Sequence, residues 1–274
     1  MGSNSGPPSG KPKLAPFAEV HPFRLTEPPN ARWKVGDGLS NTSLGKKWKN
    51  DEKQGWKTWE MAKTSPSDAT QILNSTVIPR PIAFVSTLST ENSPNLAPFR
   101  YDLCLVSYNP PIISVSFRLA PRQPKNTRDN ILATKEFVVN LISEPFIEAA
   151  NETSVEAPAN VSEWDVSGLT QESSVHVKPP RVKESAVSLE CELFHSQDIF
   201  PDGIMVPSAT LILGRVKYVH VRNSVLQPDG LRADPAKLRP TSRIGGQTYA
   251  RLGEGFDLKR PEWSCVKQVL RAKL

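Results

Sequence analysis

Cysteine is scarce in this 274-residue chain: Cys104, Cys191 and Cys265 lie far apart, with no C-x-x-C pair and no cysteine–histidine spacing. That excludes a disulfide framework and a zinc module. The expected state is three reduced thiols, with Cys104 and Cys191 buried in strands. Histidine is as sparse, and His21, His176, His195 and His220 have no metal-compatible neighbour in sequence. No apolar run approaches the roughly 18 residues of a membrane helix. The first residues, M-G-S-N-S-G-P-P-S-G-K, lack the apolar core of a secretory leader, so cytoplasmic residence and no membrane contact are expected. The motifs G-x-S-x-G, G-x-x-x-x-G-K-[ST] and G-x-G-x-x-G are missing too, which excludes an α/β serine hydrolase, a P-loop and a dinucleotide-binding domain.

What is present divides in two. Residues 1–60 carry ten Lys/Arg against six Asp/Glu, so most of the formal charge of +6 sits there. The first thirty are rich in Pro, Gly and Ser, as in extended or disordered segments. Residues 31–60 then set Trp33, Trp48, Trp56 and Trp59 among Lys46, Lys47, Lys49, Lys53 and Lys57. Interleaved aromatics and lysines can stack on nucleic acid, but the net charge is modest and no nucleic-acid motif accompanies them. The favoured expectation is an arm that wraps the domain or a partner subunit and buries its tryptophans as anchors. Residues 61–274 form the expected second unit.

That unit reads as strand-rich. Strands are expected at Ile82–Thr87, Leu103–Ser107, Ile112–Phe117, Phe137–Leu141, Val187–His195 and Thr210–Val221. Helices are expected at Thr127–Lys135, with Asn126 or Thr127 as N-cap, at Glu144–Asn151 and near Asp234–Leu238. Long antiparallel runs with few helices fit a β-barrel better than a doubly wound sheet.

One stretch carries the chemistry. I-P-R-P-I-A-F-V-S-T-L-S-T from Ile78 is followed by S-P-N-L-A-P-F-R-Y-D, N-P-P-I-I-S-V-S-F and R-Q-P-K-N-T, ending at Thr127. Ser86 and Thr87 put hydroxyls at a strand end. Asn95 to Pro98 reads as a loop stiffened by Pro94 and Pro98. Arg122, Lys125 and Thr127 supply two cations and a hydroxyl before a helical run whose N-terminus adds partial positive charge. The set suits a phosphate monoester on a flat ligand.

In these blocks, and in E-F-V-V-N-L, G-L-T, L-E-C-E-L and R-I-G-G-Q-T-Y further on, the chain resembles the FMN-binding split-barrel proteins, flavin reductase-like group, over residues 68–261. The resemblance implies a mainly β split barrel with an extended N-terminal arm, and a homodimer holding FMN in a groove between subunits. Arg122, Lys125 and Thr127 would hold the phosphate, helped by Ser86 or Thr87. Asn95, Ala97, Pro98 and Phe99 would lie against the ring, Arg100 near its pyrimidine edge, and Arg80 and Ser116 would complete the cofactor side. Trp164, Arg243 and Tyr249 are the substrate-side candidates. The activity implied is hydride transfer from NAD(P)H to flavin, for a partner monooxygenase or a small organic substrate. The alternatives are an FMN enzyme of specialised metabolism or a non-catalytic FMN-binding protein. Arg100, Asp102 and Asn126 depart from the family's usual serine, aromatic and aspartate; the Arg100 guanidinium could reach the pyrimidine edge or pair with Asp102 and hold the loop, and the changes are compatible with retained FMN and an own substrate.

Overall fold

The computed structural model describes residues 14–20, 23–99, 103–119, 126–155 and 161–271. The chain enters through β1 (Arg24–Thr26), α1 (Ser43–Asp51) and α2 (Pro66–Thr76). Ser65 caps α2 through the Asp68 N–H, and Pro66 occupies the first turn, where no intrahelical donor is needed. The short β2 (Arg80–Pro81) leads into β3 (Ala83–Leu88) and β4 (Pro94–Phe99). Next come β5 (Leu103–Tyr108), β6 (Pro111–Arg118), α3 (Asn126–Thr134) and β7 (Glu136–Asn140). After α4 (Ile147–Glu152), α5 (Glu163–Ser167), β8 (Gln171–Glu172) and β9 (Arg181–Val182), the chain runs into the long hairpin β10 (Val187–Ile199) and β11 (Ala209–Val221). It ends with α6 (Pro235–Leu238), β12 (Thr241–Arg243), β13 (Tyr249–Arg251), β14 (Glu254–Phe256) and α7 (Trp263–Arg271).

Seven antiparallel strands form the main sheet in the order β4-β3-β7-β10-β11-β6-β5. Bulges between Glu190 and Cys191 and between Leu193 and His195 interrupt the β10–β11 register, and bulges of this kind bend and twist a strand. The two ends of the sheet are drawn toward each other where the Phe99 ring of β4 meets the Phe117 ring of β6, centroids 4.4 Å apart. Inside lie Ala83, Val85, Ile113, Val115, Phe117, Phe137, Val139, Cys191 and Ile212, with Ile131 of α3 closing one end. Gly214 makes room for this packing, because a Cβ there would stand 2.4 Å from Phe137 Cζ.

The other face of β3 and β4 is also covered. Ile82, Phe84 and Leu96 pack with Ile142, Phe146, Ala150, Trp164, Leu169 and Val182. Burial on both faces explains why I-A-F-V at 82–85 is apolar without alternation.

The six expected strands and three expected helices all form, shifted by a residue or a few at their ends. Three expectations need correction. Asn95–Pro98 is no loop: it is the middle of β4, an edge strand, where a missing N–H breaks no ladder on the outer side and Pro94 and Pro98 are tolerated. Asn126 and Thr127 lie within the first turn of α3 and do not precede it. Cys104 is exposed, because it sits on the outward face of β5, the opposite edge strand, paired with Ser114. Cys191 is buried as expected; burial and then the Glu190 charge push its thiol far up.

Among the described residues no helix is long and apolar enough to cross a membrane. The arm docks on the C-terminal segment. β1 pairs in parallel with β14, and an ion pair joins Arg24 to Glu254. Arg251 donates to the Ala18 carbonyl at 2.8 Å and lies over the Phe17 ring, while Arg239 donates to the Glu19 carbonyl at 2.8 Å. The four arm tryptophans are exposed, so within the single chain they are not buried anchors.

Candidate cofactor site

At one end of the barrel, β3, β4 and α3 bring four polar side chains together. Thr87 and Asn95 face each other across the β3–β4 ladder. Asn95 Oδ1 accepts from Thr127 Oγ1 at 2.6 Å and from Thr87 Oγ1 at 3.4 Å. Asn130 Nδ2 donates to Thr87 Oγ1 at 3.0 Å. The Asn95 amide is held from the other side as well, donating to Glu163 Oε2 of α5 at 3.0 Å. Thr87, Asn95 and Thr127 are buried, and a buried polar group costs free energy unless paired. The relay therefore locks the start of α3 onto the edge strand.

Ser86 cannot join Thr87 there, because successive side chains of a strand point to opposite faces. It is buried on the other side, donating to the Pro180 carbonyl, beside Asn140, whose Nδ2 lies 3.5 Å from its Oγ. Ala97 and Phe99 follow Asn95 on β4 opposite Val85 and Ala83, and Pro98 faces Phe84. Among the described residues only β3 pairs with β4, so one row of β4 backbone groups has no strand partner there and faces outward, as a ligand would need. Ser116, half-buried opposite Leu211, lies on the face of β6 turned away from the core residues Val115 and Phe117. Arg100, Arg122 and Lys125 lie outside the described residues.

Arg80, Arg243 and Tyr249 form a second group. β2, β12 and β13 make a three-stranded sheet in which Arg243 faces Arg80 on one side and Tyr249 on the other. Arg80 Nη1 donates to the carbonyls of Asn74 and Val77 at 2.7 and 2.8 Å, so it caps the C-terminal end of α2, where the helix dipole favours a cation. The Arg243 guanidinium lies 4.3 Å over the Tyr249 ring and donates to the Gly246 carbonyl. Tyr249 donates its hydroxyl to Asn151 Oδ1 at 2.7 Å. Trp164 is 3 % exposed in the outer core, and its Nε1–H has no hydrogen-bond partner among the described residues.

Sequence reading passed over Asn130 and Glu190. Asn130 had a signal: it lies three residues after Thr127, on the same helical face. Glu190 sits in the L-E-C-E-L strand, fully buried. Its carboxylate accepts from the N–H groups of Val175, His176 and Val177 at 2.7, 2.7 and 3.0 Å and pairs with His220 Nε2 at 2.6 Å. Burial pushes this carboxyl up, but the three N–H groups and His220 outweigh it and hold it at about 2. Nothing in the local sequence announces that nest, which is assembled by a distant loop.

Against known proteins, the flavin reductase like domain family matches residues 75–235. An uncharacterized protein of Bacillus subtilis, YwrF, is 37 % identical over 197 residues, covering 72 % of this chain and 95 % of the relative. Among solved structures, nitrilotriacetate monooxygenase component B from Bacillus cereus is 33 % identical with a TM-score of 0.70, covering 74 % of this chain and 98 % of that one. The 2-nitrobenzoate 2-nitroreductase of Pseudomonas fluorescens, 23 % identical, shares the fold with a TM-score of 0.66, covering 76 % and 98 %. The chain belongs to the flavin reductase-like family of split-barrel flavoproteins. The matched span is narrower than the resemblance over 68–261, and it ends before R-I-G-G-Q-T-Y.

Proposed function

We propose that this chain is an FMN-binding oxidoreductase that passes reducing equivalents from NAD(P)H through flavin, either to a partner monooxygenase or to a small organic acceptor. The observation that carries the reading is the Thr87–Asn95–Thr127–Asn130 relay, set between an edge strand with free backbone groups and the helix that follows the basic 120–125 segment. Those features fit a flat cofactor with a phosphate tail. Thr127, with Arg122 and Lys125, would hold the phosphate, and β4 from Asn95 to Phe99 would lie along the ring.

Bound FMN would supply the hydride chemistry itself. The residues need only position and desolvate. Asn95 and Glu163 fix the helix start, Phe99 and Phe117 seal the barrel beneath, and donors aimed at the ring's carbonyl edge, Arg100 among them, would favour the reduced form by stabilising developing charge. Trp164, Arg243 and Tyr249 stay proposed for the substrate side.

A homodimer belongs to the same reading. Leu105 and Val106 on β5 and Phe194, Ile199, Phe200 and Met205 on the long hairpin are exposed in the single chain, and apolar surface on that scale marks an interaction face. The component-B likeness favours a monooxygenase as recipient. We place the unit boundary near residue 60, since the family match begins at residue 75 and the arm lies outside it.

The test is the visible spectrum of the desalted protein with its chromophore identified, followed by anaerobic addition of NADH and NADPH. Released FMN that is bleached by either nucleotide supports the reading. A protein that neither carries nor takes up FMN overturns it, and FMN that no nucleotide reduces removes the NAD(P)H step.

A further inference from the structure

A cavity of about 430 Å³ opens where the β8–β9 hairpin meets the start of β10 and the end of β11. Three cations, Arg181, Lys183 and Arg222, line it with His220 and Ser188, against a single carboxylate, Glu172. It shares no residue with the relay around Asn95. In the main sheet Ser188 lies opposite Asn140, Asn140 opposite Phe84 and Phe84 opposite Pro98, so the cavity stands three strand spacings, roughly 14 Å, from β4, and Ser188 and Asn140 share the face of Ser86, opposite to that of Thr87 and Asn95.

Two of the cations are fixed in place. Arg181 donates through Nε and Nη2 to the Ser173 carbonyl at 3.2 and 3.0 Å, and Arg222 Nη2 donates to the carbonyls of Lys183 and Glu184 at 2.7 and 3.3 Å. Each guanidinium has five N–H groups, so both keep donors without a protein acceptor among the described residues. The Lys183 ammonium has no hydrogen bond there at all. His220 is oriented from behind: its Nε2 faces the acceptor-only Glu190 carboxylate at 2.6 Å and must donate to it, which leaves Nδ1 for a ligand. Like charges around one cavity repel, and an anion relieves that cost while filling the vacant donors.

We propose that this cavity binds a small phosphomonoester, its phosphate taken by Arg181, Lys183 and Arg222. Three cations converging on one point match the charge of about −1.5 to −2 and the three acceptor oxygens that a phosphomonoester gathers on a single group, where a dicarboxylate divides its charge between two separated groups, and the volume lies within the range of ligand pockets, about 300–1,000 Å³. The site is separate from the one proposed for FMN and does not depend on it.

Calorimetric titration of the full chain saturated with FMN, using orthophosphate, adenosine 5′-monophosphate and succinate, tests it. The expected result is saturable one-to-one binding of the two phosphates and none of succinate. Lys183→Ala should weaken it about 10-fold, the size of one charge-assisted hydrogen bond, and Lys183→Glu should abolish it; Lys183 is exposed, so neither change threatens the fold. Thr127→Val should leave it unchanged. Absence of binding at millimolar phosphate, binding indifferent to Lys183→Glu, or succinate binding as tight as phosphate each overturns the proposal. Loss in Thr127→Val but not in the Lys183 variants assigns the heat to the flavin phosphate position and overturns it as well.

Discussion

In the barrel, Phe84, Phe117 and Phe137 are fully buried, whereas in the arm Trp33, Trp48, Trp56 and Trp59 keep between 43 and 93 % of their surface exposed. Both regions are supplied with large aromatics; they differ in what stands next to them. Barrel aromatics lie on strands that pair on both sides, so each ring meets partners from neighbouring strands. Arm tryptophans stand among lysines, which hold their segment in water, and Gly45 is the single buried residue among the described positions 14–60. Aromatic content does not make a core without a second surface to close on. The arm is therefore held by its backbone and by Arg239, Arg251 and Glu254, not by its tryptophans.

Substitutions can break this contrast, and the largest effect is expected inside the barrel. Phe137→Ala should cost about 4 kcal/mol of unfolding free energy in urea titration, because the ring fills the space above Gly214. Next, Glu190→Gln should cost about 3 kcal/mol, since one amide oxygen cannot serve three N–H groups and His220. The pH dependence has a defined sign. The folded carboxyl is depressed from an ordinary 4.5 to about 2, so its stabilisation is complete above pH 4.5 and is lost as pH falls through 2. Urea titrations repeated across that window should show this slope in the wild type and a flatter one in the Gln variant.

At the barrel end the relay offers a sharper probe. Asn95→Asp sets a second carboxylate against Glu163 and should cost about 2 kcal/mol, with FMN affinity, followed by fluorescence quenching, falling about 10-fold. Adding Glu163→Gln restores the pair with donor and acceptor exchanged, and most of both losses should return; a double variant no better than Asn95→Asp would dissociate Glu163 from the relay. Smallest of all, Trp56→Ala in the arm should change stability by less than about 0.5 kcal/mol, and a larger shift at low protein concentration would mean that the side chain is buried somewhere in the single chain.

Legibility followed sequence distance. Most strands of the main sheet were readable because each carries its own apolar pattern, and α3 as the helical run that follows the basic segment. β4 was misread because proline argues against a strand, and local sequence does not say which strand will lie at an edge. Thr87, Asn95 and Thr127 were legible as polar residues beside a phosphate-like segment. That Asn95 is held by Glu163, 68 residues away, was not. Ser86 shows the reverse: adjacent to Thr87 in sequence, it faces the opposite side and belongs to the outer layer.

Local sequence was enough for the family, through the motif blocks between Ile78 and Thr127 and those further on, and for the mainly antiparallel class and most of the strand positions, because apolar patterning is a property of neighbouring residues. Tertiary structure alone decided which polar residues meet. The Asn95 relay, the nest around Glu190 and the cationic cavity at Lys183 each join segments that only strand register and loop packing bring within hydrogen-bond distance.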